Sequence, residues 1–188
     1  MHDGDMTNQN AILLTALKSL RQSRRFLDTP VAHADLEELL EVARWTGSAK
    51  NTQPWHLVVV TDPETNKALA GCGDFAGFLE NVTASIVVAM EGDNRGVAYD
   101  DGRLQERVML AGKALGIGSG TAWFSHRAQR QQVRDLLGIP DHLEPWSAIG
   151  LGYTDVSQEQ AAPQLSGRKP IEEISSWGQF GRPAPGNP

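Results

Sequence analysis

Cysteine is almost missing from this chain, and its scarcity removes several chemistries at once. The single thiol, Cys72, cannot form an intramolecular disulfide or anchor a multi-cysteine metal site. It sits in Gly71-Cys72-Gly73 with no obvious base beside it, so it reads as a buried thiol, not a nucleophile. Positive charge is also short. Seventeen Lys and Arg against 23 Asp and Glu leave a net charge of −6, which argues against nucleic-acid binding and weakly against anionic membranes. Long hydrophobic runs are lacking, and the stretch Ser85 to Met90 is far too short to cross a bilayer. The N-terminal MHDGDMTNQN is acidic and polar, unlike a signal peptide. His2, His33, His56, His126 and His142 are scattered without ligand spacing, so no metal is expected. No G-x-S-x-G elbow supplies a hydrolase nucleophile. A cytoplasmic, soluble protein is the expectation.

What is present is a chain of ordinary globular make-up. Its 188 residues are 40% hydrophobic and 21% charged, enough for one core and one domain. That domain is expected over residues 9–181, with 1–8 and 182–188 disordered. Ile12, Leu13, Ala16, Leu17 and Leu20 stripe a helix over Ala11–Arg21, and Leu36, Leu39, Leu40 and Ala43 stripe a second. Trp55-His56-Leu57-Val58-Val59-Val60 reads as a strand. Asp62 followed by Pro63 caps a short helix to Leu69. Ser85–Met90 reads as a buried strand, and Asp101–Leu115 as the strongest helix, stopped by Gly116. A strand Ser119–Phe124, a helix Arg127–Leu137 and a strand Trp146–Leu151 follow. With no repeat and no long linker, these elements predict an α+β fold with helices around one mixed sheet.

Two glycine and polar segments compete as sites. Gly116-Ile117-Gly118-Ser119-Gly120 has a dinucleotide-binding look, but that motif needs strand, glycine turn, then helix. Here the order is helix, glycines, strand, so a tight turn is the better reading. Ser48 to Trp55, SAKNTQPW, links a helix to a strand and is rich in amides and hydroxyls. Gln53-Pro54 forces an extended entry into the strand. Held between two rigid elements, such a loop suits hydrogen bonding to a flat polar heterocycle. Basic residues gather at Arg21, Arg24 and Arg25, with Gln22 among them, and again at Arg168-Lys169, a pattern suited to a compact anion such as phosphate.

Read together, the segment from Arg21 to Val31, RQSRRFLDTPV, and LLEVARWTGSAKNTQPWHLVVV resemble the nitroreductase family of FMN-dependent oxidoreductases. The resemblance continues through DDGRLQERVMLAGKALGIGSG and LLGIPDHLEPWSAIGLGY to GRKPIEEI, in the family's order. It implies an intertwined homodimer with a nitroreductase-like mixed sheet flanked by helices, binding FMN at the subunit interface. It further implies cofactor contacts from Arg21, Gln22 and Arg24 of one subunit, and from Ser48, Ala49, Asn51 and Gln53 of the other. Arg24 would face the flavin's pyrimidine edge, where a cation stabilises charge near N1 of the reduced ring. Arg168 with Lys169 would hold the phosphate, and Ala122 and Trp123 would line the ring near N5. No protein residue is implied as general acid or base. The implied reaction takes hydride from NADH or NADPH and passes electrons to a small electron-poor acceptor, a nitroaromatic or quinone, in a ping-pong cycle. A flavoenzyme of the same fold with another substrate (a dehalogenase, a flavin-cleaving enzyme or a heterocycle oxidase) is the alternative, as is a non-catalytic flavin-binding or regulatory protein. Three positions depart from the family pattern. Leu20 stands where the first arginine falls, unless Arg21 takes that role by a shift. Gln22 replaces a serine, and Gly47 replaces a proline often found before the loop. The shortness of the chain implies a trimmed lid and a more open substrate site.

Overall fold

The computed structural model describes residues 3–154 and 167–185. The chain divides into two compact units, Met1–Asp155 and Val156–Pro188. The first unit is built on a four-stranded sheet of β1 (Trp55–Val60), β2 (Ala84–Glu91), β3 (Gly118–Trp123) and β4 (Leu143–Gly152), in the order β1-β2-β4-β3. Around it lie α1 (Asp3–Ser19), α2 (His33–Arg44), α3 (Pro63–Ala70), α4 (Arg95–Ala114) and α5 (Arg127–Leu137). The fold is α+β as expected, but among the described residues the sheet is not mixed. All three strand pairs are antiparallel. The uninterrupted apolar run of β2 resembles a strand of a parallel sheet. Its residues are buried on both sides because helices cover both faces, not because its neighbours run parallel.

Period-two alternation on β2 divides the core. Ile86, Val88 and Met90 join α2 and α4 through Leu36, Leu39, Ala43, Leu104 and Val108 on one face. Val87 and Ala89 face the other way, onto a second cluster with Leu69, Leu79, Ala122, Phe124 and Val133. α3 begins where its cap predicts, with the Asp62 carboxylate accepting from the Thr65 N–H at 2.8 Å. α4 starts at Arg95, ahead of the expected Asp101, because the Asn94 side chain accepts from the N–H groups of Gly96 and Val97. β4 begins earlier than expected and carries Pro145 without breaking. The register slips between Val88 and Ala89 so that Trp146 is the extra residue of a bulge, and β3 ends opposite Ser147, leaving Pro145 no β3 partner to serve.

α1 departs most from expectation. It runs from Asp3 to Ser19, and Leu20 packs on the core. Its apolar stripe does not. Ile12, Leu13, Leu14 and Leu17 are 62, 61, 54 and 45% exposed. The second unit holds the single-turn α6 (Ile171–Ile174), with the Ser175 hydroxyl donating to the Ile171 carbonyl at 2.7 Å. A reverse turn follows, closed from the Trp177 N–H to the Arg182 carbonyl at 2.9 Å. No helix among the described residues is long and apolar enough to cross a membrane.

Candidate functional site

The segment after α1 lies along the free edge of β3. The Ser23 N–H donates to the Ser119 carbonyl at 2.7 Å, and the Leu27 N–H to Tyr153 at 2.8 Å. Close approach is possible because the strands beneath carry glycines at alternate positions. Gly118 pairs with Gly152 and Gly120 with Gly150, so all four point to one face. A Cβ on Gly120 would collide with the Arg24 guanidinium and the Ser23 carbonyl, and one on Gly150 would come within 2.7 Å of the Phe78 ring. A trough of missing side chains thus receives Ser23, Arg24 and Phe78. The glycines of this region do more than form a turn. Gly116 supplies the turn at φ +75°, while Gly118 and Gly120 open the strand.

In that trough the Arg24 guanidinium lies over Phe78, its Cζ 4.2 Å from the ring centroid. Its Nη2 donates to the Gln22 Oε1 at 2.6 Å and to the Thr121 carbonyl at 3.3 Å. Its Nη1 donates to the Ser23 carbonyl at 3.3 Å. Desolvation over the ring and backbone lowers the Arg24 pKa from its ordinary value, yet a guanidinium remains charged at any physiological pH. Arg24 still keeps solvent contact on its outer side. Among the described residues no carboxylate pairs with it. Arg21 turns back onto its own helix, donating to the carbonyls of Lys18 and Leu20 at 3.1 and 2.7 Å. Beyond Thr121 on β3, Ala122 is buried and Trp123 is 43% exposed.

The Ser48 loop is a strained structure of its own. Ala49–Asn51 form a 3₁₀ turn, and Lys50, Asn51 and Gln53 adopt φ of 54, 57 and 49°. Three non-glycine residues in the left-handed region within four positions store energy that a functional role commonly explains. The Ser48 Oγ holds the loop closed by accepting the Gln53 N–H at 2.8 Å. The side chains of Asn51 and Gln53 are exposed. Gly47 has a physical reason here that its sequence context did not reveal. A Cβ at Gly47 would lie 2.8 Å from the Arg103 Nη2, so the glycine admits Arg103 of α4 to the loop's base, where Asp100 pairs with it at 3.3 Å. In the last turn of α2, just ahead of the loop, Glu41 accepts from Arg44 and from the Trp45 indole at 2.8 Å. Those bonds hold its pKa at about 2 and fix Trp45 in an exposed position.

The structure therefore gathers Gln22, Arg24, Ala122 and Trp123 on the β3 side and Ser48, Ala49, Asn51 and Gln53 on the β1 side. It does not bring the two groups together within one chain. β1 and β3 are the opposite edges of the sheet, three strand spacings or roughly 14 Å apart. Arg168 and Lys169 belong to the second unit, exposed ahead of α6. Sequence reasoning missed Phe78, Thr121 and Arg103. Only the alternating glycines, G-x-G on each of two strands, signalled that something crosses there. Cys72 is buried, its Sγ 3.3 Å from the Ala68 carbonyl, and burial pushes its pKa up. A reactive thiolate is thereby disfavoured.

Known proteins share this arrangement of elements. The nitroreductase family model matches residues 17–72, which takes in both the Arg24 segment and the Ser48 loop. An Archaeoglobus fulgidus protein named "Putative NADH dehydrogenase/NAD(P)H nitroreductase" is 34% identical over 146 residues, covering 74% of this chain and 84% of its own. An NADH dehydrogenase from Thermus thermophilus is 27% identical, covering 87% of this chain and 94% of its own. Among solved structures, an FMN-dependent nitroreductase from Clostridium difficile superposes with a TM-score of 0.79 at 23% identity. That match covers 89% of this chain and 99% of the other. With a relative this similar along most of both lengths, the chain belongs to the nitroreductase family of oxidoreductases.

Proposed function

We propose that this protein is an FMN-dependent NAD(P)H oxidoreductase, a cytoplasmic homodimer that reduces small electron-poor acceptors such as nitroaromatics or quinones in a ping-pong cycle. The observation that carries the reading is Arg24, a guanidinium held in place by neutral acceptors and, among the described residues, without a carboxylate partner. A fixed, un-neutralised cation at an open strand edge is suited to a ring that gains negative charge on reduction.

The residues present fit FMN. The Arg24 side offers charged donors that would suit a carbonyl-rich ring edge, and the Ser48 loop offers exposed amides on a pre-strained backbone. When bound, FMN supplies the hydride chemistry, accepting from NAD(P)H and donating to the acceptor. The chain's own part is placement and charge. Arg21 and Arg24, the latter tied to Gln22, would serve one edge of the cofactor, and Ala122 and Trp123 its ring face. Ser48, Ala49, Asn51 and Gln53 would reach it from a second copy, and Arg168 and Lys169 would hold the phosphate. The second copy is supported by two features. The loop and the Arg24 trough sit on opposite sheet edges, and the apolar stripe of α1 is uncovered in a single chain. The test is the visible spectrum of purified protein with and without added FMN, followed by anaerobic NADH or NADPH. Flavin bands shifted by binding and then bleached are the expected result. Protein that cannot be loaded with FMN would remove the cofactor from this reading and favour a non-catalytic role.

A further inference from the structure

Gln22 occupies the position where the family pattern has a serine, and its side chain reaches two atoms further. Its Oε1 accepts from the Arg24 Nη2 at 2.6 Å, the Thr121 N–H at 3.2 Å and the Thr121 Oγ at 3.4 Å. Guanidinium and backbone N–H groups can only donate, so the amide oxygen, and not its nitrogen, must face them. That oxygen ties Arg24 to the edge strand at one point. Phe78 fixes the plane of the guanidinium from below, and the gap at Gly120 fixes its depth. An acceptor with a full negative charge would hold Arg24 as well, but would cancel its field. A neutral amide oxygen holds it and leaves the charge intact.

We infer that Gln22 is a positioning residue. It locks the Arg24 guanidinium against β3 with its full charge available to the flavin, and it acts on the cofactor through Arg24 and not by touching it. This inference rests on the FMN reading above, so the test separates the two. The first arm uses apo-protein. Side-chain ¹⁵N spectra of Arg24 should show slowed rotation of the guanidinium in wild type, averaged signals in Gln22→Ala, and slowed rotation again in Gln22→Glu. The second arm titrates FMN by flavin fluorescence. Gln22→Ala should weaken binding about tenfold, the scale of one charge-assisted hydrogen bond. In an Arg24→Ala background the same change should cost nothing further, since coupling is complete when one residue works through another. Gln22→Glu should keep the lock but lower both FMN affinity and the flavin midpoint potential, because the added carboxylate neutralises Arg24.

Arg24 signals unaffected by Gln22→Ala would overturn the inference. So would losses that add in the double variant, which would put Gln22 in direct contact with the flavin. Wild-type protein that binds no FMN would defeat the cofactor reading and the flavin role of Gln22 with it. The spectra of the apo-protein would still decide whether the lock exists.

Discussion

At Gly120 one absent carbon decides where a cation sits. A Cβ there would occupy the space of the Arg24 guanidinium and the Ser23 carbonyl, and neither the strand edge nor the backbone of residue 23 can move aside cheaply. Gly120→Ala should therefore expel Arg24 from its trough and weaken FMN binding by at least tenfold, with a modest fall in Tm. Equal FMN affinity in the variant, measured by fluorescence quenching, would show that Arg24 does not need this position. Arg24 itself was legible in the sequence, because a run of arginines after a helix in an acidic chain stands out. Its supports were not. Phe78 and Thr121 are ordinary residue types far along the chain, and only the fold makes them neighbours. A second residue-scale effect concerns Asp101, which is buried between α4 and the sheet. Its carboxylate accepts from Ser147 at 2.8 Å and Gln105 at 2.9 Å, and desolvation outweighs those bonds to raise its pKa from 3.8 to about 6. Between those values the folded protein holds a proton that the unfolded chain has released. Stability is thus greatest below the lower value and falls as pH rises to the upper one, by up to about 3 kcal/mol. Asp101→Asn keeps the polar contacts with an amide flip and should flatten urea-denaturation stability between pH 4 and pH 6.5. An unchanged slope would place the proton elsewhere.

Elements were more legible than contacts. β1 and α5 have the bounds that alternation and helical spacing predict, and the Asp62 cap is where its side chain can bond. The misses have local causes. Pro145 hid the first residues of β4 behind a bulge, and an Asn94 cap began α4 ahead of its expected start at Asp101. The mixed-sheet expectation rested on the alternation of helices and strands, which does not fix strand direction, and among the described residues every strand pair is antiparallel. α1 is the telling case. Its periodicity promised a buried face, yet Leu13 and Leu17, one turn apart, are 61 and 45% exposed. An apolar stripe of this kind on a helix normally meets a partner. Placing charge on it, as in the double variant Leu13→Glu with Leu17→Glu, should halve the mass seen by light scattering while leaving the far-ultraviolet circular dichroism of the monomer folded. A dimer that survives both changes would assign the stripe another purpose.

At the scale of the molecule, the two polar groups of the candidate site pose a question of topology. The loop before β1 and the trough on β3 are built by one chain at opposite edges of one sheet. Nothing in a linear sequence reports this, because strand order is set by how the crossings pack and not by residue type. If each FMN lies between the Arg24 trough of one copy and the Ser48 loop of another, the defects of two different variants should sort by site when the copies mix. Arg24→Ala alone spoils both sites of its homodimer through the trough, and Asn51→Asp alone spoils both through the loop. Asparagine and aspartate both tolerate the left-handed backbone at that position, where φ is 57°, so the loop itself should persist. A mixed dimer, co-expressed with two affinity tags and purified through both, would pair one chain of each kind. One of its sites would then combine the intact trough with the intact loop, and the other would carry both defects. The expected result is one FMN bound per dimer at wild-type affinity, where neither parent binds any so tightly. A site made within a single chain gives the opposite outcome, since every site in the mixture would keep one defect and no wild-type affinity could reappear.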